Sequence, residues 1–453
     1  MKPTTSSRIP PGPAEPYDAT QDLLRWMQQN FERYGDIYKA SVYGSDVYVI
    51  SAPEYAEYVL LRNWENFPRA GPVIKRIALS LGNGLMSSNG PLWVRQRRMI
   101  QPAFTREAVG ELCGTFVKVN VALLEKWKHA ARCGASVDVT QDVSTTVLDV
   151  MLFVIFGDDY AKVAPHFQIV GAESRNLEFA RTCSVLKKVI MQVTSERREQ
   201  RRAARDLLGL MLRARDRDSG QPMTDAQLAN EALTLVVAGH ETTASVLNWV
   251  WYLLSRYPEV EARLVGELQA LLGGTDPVFE ELARFTYTRR VIEETLRTYP
   301  PGWLMARRAI TADRLGDYLL PAGTEIYISP YLLQRHPRLW QEPERFNPDR
   351  FAEESPDQPR LSMCPFSAGP RNCIGEFFAR IEMQIHIMLI ARELRLRYGA
   401  AEPPEFVAGV NLLSRHHFIM QPQLRAGAAA GVPVLDRDSA TGSADSAEAV
   451  RPA

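Results

Sequence analysis

The chain has 453 residues, 45% of them hydrophobic and 23% charged, enough apolar material for a large buried core. Its 53 Lys and Arg balance 53 Asp and Glu, so bulk charge makes no case for nucleic acid or an anionic membrane as partner. Five scattered cysteines do not form a disulfide framework, and no uncharged apolar run reaches the roughly 18 residues of a membrane span. Residues 1–16 are polar and Pro-rich and lack the apolar stretch of a signal peptide; a soluble, monomeric protein of the reducing cytoplasm is expected. In "DIYKASVYGSDVYVIS", β-branched and aromatic residues on both sides of Gly44, Ser45 and Asp46 predict two short strands around a turn. Ser51 and Glu54 then fit a capping box that opens a helix through Leu61. Helices are predicted over 92–99, 109–131 and 140–156, and the basic amphipathic stretch 185–215 reads as a helix with a solvated face. Thr224 with Gln227 fits a second capping box, from which a helical pattern runs from Asp225 to Tyr257 until Pro258 ends it. The middle of that helix is apolar on nearly every face, which makes it central and buried. A helix over 289–298, a strand-and-turn region over 304–329 and a helix from Gly375 to about Leu394 follow. From Ala426 onward the chain lacks aromatics and periodicity, and a disordered tail is expected over 426–453. The fold class is mainly α with a minor β portion, in one domain over 17–425 without internal repeats.

Four segments bear on chemistry, the first by exclusion. "GNGLMSSNG" at 82–90 lacks the third glycine of a dinucleotide fingerprint, and no phosphate loop occurs anywhere. In "AGHETTA" of the central helix, Ala238 and Thr242 share a face, and small Ala238 and Gly239 leave room for a flat body. Glu241 sets an acid beside the Thr242 hydroxyl, a proton relay in outline; His240 lacks the second histidine of a zinc-protease helix, since residue 244 is Ala244. Glu294 and Arg297 stand three apart on one helical face, as an ion pair would. Last comes "FSAGPRNCIG" at 366–375, where Cys373 precedes a helix whose N-terminus stabilises a thiolate, Arg371 adds positive charge, and Gly369 and Gly375 allow tight turns. A single thiolate with no second ligand nearby suits a metal whose other ligands come from a macrocycle, and haem is that site.

This segment resembles the haem-binding signature F-x-x-G-x-R-x-C-x-G of the cytochrome P450 family, matching at Phe366, Gly369, Arg371, Cys373 and Gly375. "AGHETT", "EETLR" and "PERFNPDRF" fall in the family's order, and Trp93 and Arg97 stand at its W-x-x-x-R spacing, so the resemblance covers roughly 10–420. It implies the cytochrome P450 fold, with a long central helix over haem b, and a monooxygenase that inserts one atom of O2 into a C–H bond. It implies Cys373 as the metal ligand and Phe366 beside the sulfur. Trp93, Arg97 and one of Arg307 or Arg308 bind the haem propionates, the spacing to Asp313 favouring Arg308, with Arg371 assisting. Glu241 and Thr242 deliver protons. Glu294 and Arg297, joined by Arg345, lock the region behind the cysteine loop. Val73, Ile74, Leu85, Met86, Ala238, Trp303, Leu304, Met305 and Leu412 fall in the pocket-lining segments; nearly all are apolar, which suits a fatty acid, terpenoid, steroid or macrocycle. Electrons come from outside, from a ferredoxin or flavodoxin with its reductase, and Arg95, Arg98 and Arg380 are candidates to receive an acidic partner. Two rivals remain: a haem-thiolate enzyme driven by peroxide or catalysing isomerisation, which the acid and alcohol pair disfavours, and a non-catalytic haem sensor.

Overall fold

The central helix spans Asp225–Arg256, 32 residues or about 48 Å. Its start is the expected capping box: the Thr224 hydroxyl accepts from the Gln227 N–H at 3.2 Å, and the Gln227 side chain accepts from the Thr224 N–H at 3.0 Å. The computed structural model describes residues 8–167, 177–200, 205–272, 274–352 and 359–425, so the predicted tail lies outside the described residues. Around the central helix pack Val139–Phe156, Leu177–Glu199, Thr286–Thr298 and Glu376–Glu393, and Arg106–Arg132 closes over the first and last of these neighbours. The largest apolar cluster lies among these helices. One described stretch, Val139–His166, is long and apolar enough by length and composition to cross a membrane. It packs against the central helix, and its Asp142 accepts from Trp127 Nε1 at 2.8 Å and Lys126 Nζ at 2.6 Å.

The basic stretch differs from expectation. It divides into Leu177–Glu199 and Leu207–Arg213, the second capped by Asp206 accepting from the Gly209 N–H at 2.8 Å, while 201–204 lie outside the described residues. Its amphipathic character is as read, with Leu186, Ile190 and Val193 buried and Val185, Lys188 and Met191 exposed; Arg197 is buried as well, held by Asp159 at 2.8 Å and Asp206 at 2.7 Å.

The main sheet orders Ile37–Val42, Ser45–Ile50, Glu325–Ile328 and Met305–Arg308, with a parallel pairing in the middle. Both faces are buried, and the two-residue period sorts them: Tyr48, Ile50, Ile326 and Ile328 enter one cluster, and Val47, Val49 and Tyr327 the other. The hairpin turn is Tyr43–Gly44, both at positive φ (50° and 77°), so Ser45 and Asp46 belong to the strand. The predicted Ser51 cap does not form. Ser51 is pinned inside by its N–H donating to the Asp36 carbonyl at 2.8 Å, and Ala52 begins a helix over Pro53–Glu57 that ends in a π-helical turn, Tyr58–Arg62. A three-stranded sheet of Val137–Asp138, Ile419–Leu424 and Leu394–Tyr398 and two short hairpins complete the β portion.

Candidate functional site

Residues 366–375 form a loop whose Cys373 N–H donates to the Phe366 carbonyl at 2.9 Å, closing it just before the helix Glu376–Glu393. Gly369 is obligatory, at φ 71° with the space for a Cβ filled by the Leu60 carbonyl. Gly375 is different: its φ is −92° and a Cβ there would touch only Phe104, so the turn itself does not demand glycine. The electropositive setting expected for Cys373 is only part of its balance. Desolvation pushes the thiol pKa up and Glu376 adds to this, while the Gly375 N–H, Arg69 and Arg97 pull it down. A recess of about 290 Å³ borders Cys373, lined among others by Arg97, Phe104, Asn372, Phe377 and Arg380. Phe366 lies under the Arg380 guanidinium, 4.8 Å from its ring centre.

Four arginines gather beside this loop. Arg97 donates to the Asn372 carbonyl at 2.8 Å and to Asn372 Oδ1 at 2.9 Å. Arg371 is buried, stacks 4.2 Å over Trp93, donates to the Ser88 carbonyl at 2.8 Å and to Asn89, and leaves Nη1 without a partner. Arg69, which sequence reading missed, donates to the Met86 carbonyl at 3.1 Å and the Arg371 carbonyl at 3.3 Å. Arg307 is buried with Nη2 unpartnered. Burial depresses all four, and neighbouring arginines add to it at Arg69, Arg307 and Arg371: Arg371 falls to about 9, and Arg307 lies well below the usual arginine range. Arg308, the expected choice, is a poor one. Successive strand residues face opposite ways, and Arg308 points to Glu325, with which it pairs at 2.5 Å, leaving Arg307 on the side of Arg69 and Arg371.

On the central helix, Thr242 Oγ1 donates to the Ala238 carbonyl at 2.6 Å, the back-bond that loosens a helix locally. Glu241 accepts from Asn411 Nδ2, a residue no motif marks. His240 turns away to Ser144, 2.9 Å from its hydroxyl and 3.0 Å from its carbonyl, and burial lowers its pKa to about 4, so it is neutral. Gly239 also faces away, since a Cβ there would meet the Met151 side chain.

The cytochrome P450 family model matches residues 16–172 and 172–418. The chain belongs to the cytochrome P450 family. It is 33% identical over 387 residues to cyclooctat-9-en-7-ol 5-monooxygenase of Streptomyces melanosporofaciens, covering 80% of this chain and 83% of that protein. It is 30% identical over 403 residues to pentalenene oxygenase of Streptomyces avermitilis, covering 85% and 88%. Retinoic acid-bound cyanobacterial CYP120A1 shares the fold at a TM-score of 0.84 with 22% identity, over 93% of this chain and 100% of that one. This P450 is thus a haem-dependent monooxygenase that takes a substrate, O2 and electrons from a redox partner. Its residues fit the cofactor on two counts. Cys373 borders an open recess and offers a single sulfur, as a metal whose other ligands come from a macrocycle requires. The buried unpartnered nitrogens of Arg307 and Arg371 match the two propionates of haem b.

Behind the loop, Glu294 and Arg297 are fully buried and paired bidentately at 2.7 and 2.9 Å. The third member is Arg350, 3.3 Å from Glu294 Oε1, and not Arg345. Arg345 turns its side chain to solvent and to Glu342, and contributes only its carbonyl to Arg297 at 3.4 Å. Several pocket candidates also differ from expectation. Leu412 and Trp303 are buried in the core on one face of the main sheet, and Met305 packs on the other. Leu85 is buried, and its N–H donates to Glu231 Oε2 at 2.8 Å. Met86, Ile74 and Leu304 remain partly exposed, while the Val73 side chain lies outside the described residues. The three proposed docking arginines are all engaged: Arg95 with Asp216 at 3.7 Å, Arg98 with Asp218 at 2.8 Å, and Arg380 with Glu293 and Glu376.

Proposed function

We propose that this P450 hydroxylates or epoxidises a cyclic terpenoid, with Cys373 as its haem ligand. The observation that carries the reading is the pairing of a lone loop cysteine with an acid and alcohol, Glu241 and Thr242, on the central helix. Terpenoid substrates are supported by the names of two relatives and by the apolar Ala238, Met86, Ile74 and Leu304. When bound, thiolate-ligated haem supplies the reduction of O2 and cleavage of its O–O bond. Cys373 would give its sulfur to the iron, with the Gly375 N–H, Arg69 and Arg97 placed to steady a thiolate against the upward push of burial. Arg97, Arg307 and Arg371 would hold the propionates, the Arg371 guanidinium being stacked over Trp93. Glu241 carries protons inward, and Thr242 Oγ1 passes them into the pocket.

The domain is taken as 17–425, the setting as the cytoplasm, and the electron donor as a ferredoxin or flavodoxin with its reductase. The recess beside Cys373, with Arg97 and Arg380 in its lining, supports that side as the point of electron entry. An optical titration of the iron spin state with a cyclic diterpene, a cyclic sesquiterpene and a long-chain fatty acid tests the substrate class. A response to either terpene is expected; a response confined to the fatty acid would reject it. Product formed with peroxide alone, and none with electron donors plus O2, would replace monooxygenation by the peroxide-driven reading.

A further inference from the structure

The Glu241 carboxylate is not positioned by its own helix alone. Asn411, nearly buried, reaches across from the turn between Phe406–Ala408 and Leu412–Ser414 and donates its Nδ2 hydrogen to Glu241 Oε2. That turn is itself braced. The Gly409 N–H donates to the Asn411 carbonyl at 3.0 Å, the Trp303 indole donates to the Gly409 carbonyl at 3.0 Å, and the Leu412 N–H donates to the Pro301 carbonyl at 3.0 Å. One helical turn beyond Glu241, Ser245 Oγ donates to the Leu412 carbonyl at 2.6 Å. The hairpin therefore grips the same helical face at two points, residues 241 and 245, and only one of them is an acid.

We infer that Asn411 is a positioning residue for proton delivery: it fixes the Glu241 carboxylate relative to Thr242 and ties that placement to the hairpin. An amide N–H suits this role. It donates to a carboxylate without competing for its protons, and a neutral partner leaves the acid able to cycle between its two states. The hairpin that carries Asn411 is itself fastened at Pro301 and Trp303, so the donor is held in place independently of the Ser245 contact. The inference rests on the relay reading of Glu241 and Thr242, and its test is arranged to separate the two.

Asn411→Ala removes the donor. Asn411→Asp keeps the shape but sets a carboxylate against Glu241. Ser245→Ala releases the same hairpin without touching the acid. In the ferric holoenzyme, the infrared carboxyl band of Glu241 is identified by subtracting the spectrum of Glu241→Gln; with reductase and O2, the share of reductant lost as peroxide is measured. Asn411→Ala is expected to shift the band and raise the peroxide share about fivefold, less than the hundredfold or so associated with losing a proton-transfer group outright. Asn411→Asp is expected to exceed it, and Ser245→Ala to leave both readouts as in the native protein. A native band and native coupling in both Asn411 variants, or an equal disturbance by Ser245→Ala, would overturn the inference and reduce the contact to a structural clip. If Thr242→Ala and Glu241→Gln also remain fully coupled, the relay reading falls first; uncoupling in those two beside coupled Asn411 variants removes the tether alone.

Discussion

Arg307 and Arg308 are adjacent in sequence and opposite in surroundings, so substitution separates their roles. Arg307→Met is expected to accelerate haem loss by about tenfold or more, since a charge-assisted bond to a buried carboxylate contributes about 1.5–3 kcal/mol. Arg308→Met loses the Glu325 contact, and its haem loss is expected to stay near native; transfer of haem to an acceptor globin reads both. Cys373→Ser is expected to abolish the red-shifted carbonyl band of the reduced protein, and an unchanged band would reject sulfur as the ligand. The Thr224–Gln227 cap, a fixed local pattern, was legible from sequence. Arg69 and Asn411 were not, because each acts across more than 100 residues of chain and belongs to no short motif. The choice between Arg307 and Arg308 needed strand parity, which the distance to Asp313 does not report.

At the scale of elements, the buried carboxylate Glu231 ties the 82–88 loop to the central helix through the Leu85 N–H, and burial raises its pKa to about 7. The native state thus holds a proton that the unfolded chain releases near 4.5, so this group's contribution is complete below 4.5 and declines as pH rises to 7. Glu231→Gln keeps an acceptor for Leu85 and removes the decline. Relative to native protein the variant is expected to gain on the order of 3 kcal/mol between pH 4.5 and 7, measured by urea unfolding of the haem-loaded protein at each pH. The Glu294 assembly makes a second contrast. Arg350→Ala strips one partner from a fully buried carboxylate and is expected to destabilise by up to about 3 kcal/mol, whereas Arg345→Ala is expected to stay within about 0.5 kcal/mol. Both arginines sit in "PERFNPDRF", and sequence order could not tell which turns inward: Arg345 follows Glu342 out to solvent, while Arg350 lies within the 3-10 turn Pro348–Phe351 that rests on Thr286–Thr298. Helices with a strong apolar period were read to within a few residues. The Ser51 cap failed because the neighbouring strand claimed that serine for the sheet's buried edge.

For the whole molecule, the mainly α architecture was legible because its organising helix is long, capped and apolar all round, and every helix that packs on it inherits an apolar stripe. The small sheets were harder to read, since strands of two or three residues such as Val137–Asp138 and Phe406–Ala408 carry no usable alternation. The pocket was least legible, because an apolar residue such as Leu412 or Trp303 looks the same in sequence whether it meets a substrate or the core. Four arginines held together by burial, three of them further depressed by their neighbours, are a cost carried by the polypeptide itself, and a doubly anionic prosthetic group would relieve it. Folding and cofactor capture are therefore one linked equilibrium, in which every increase in free porphyrin iron raises the population of native chains.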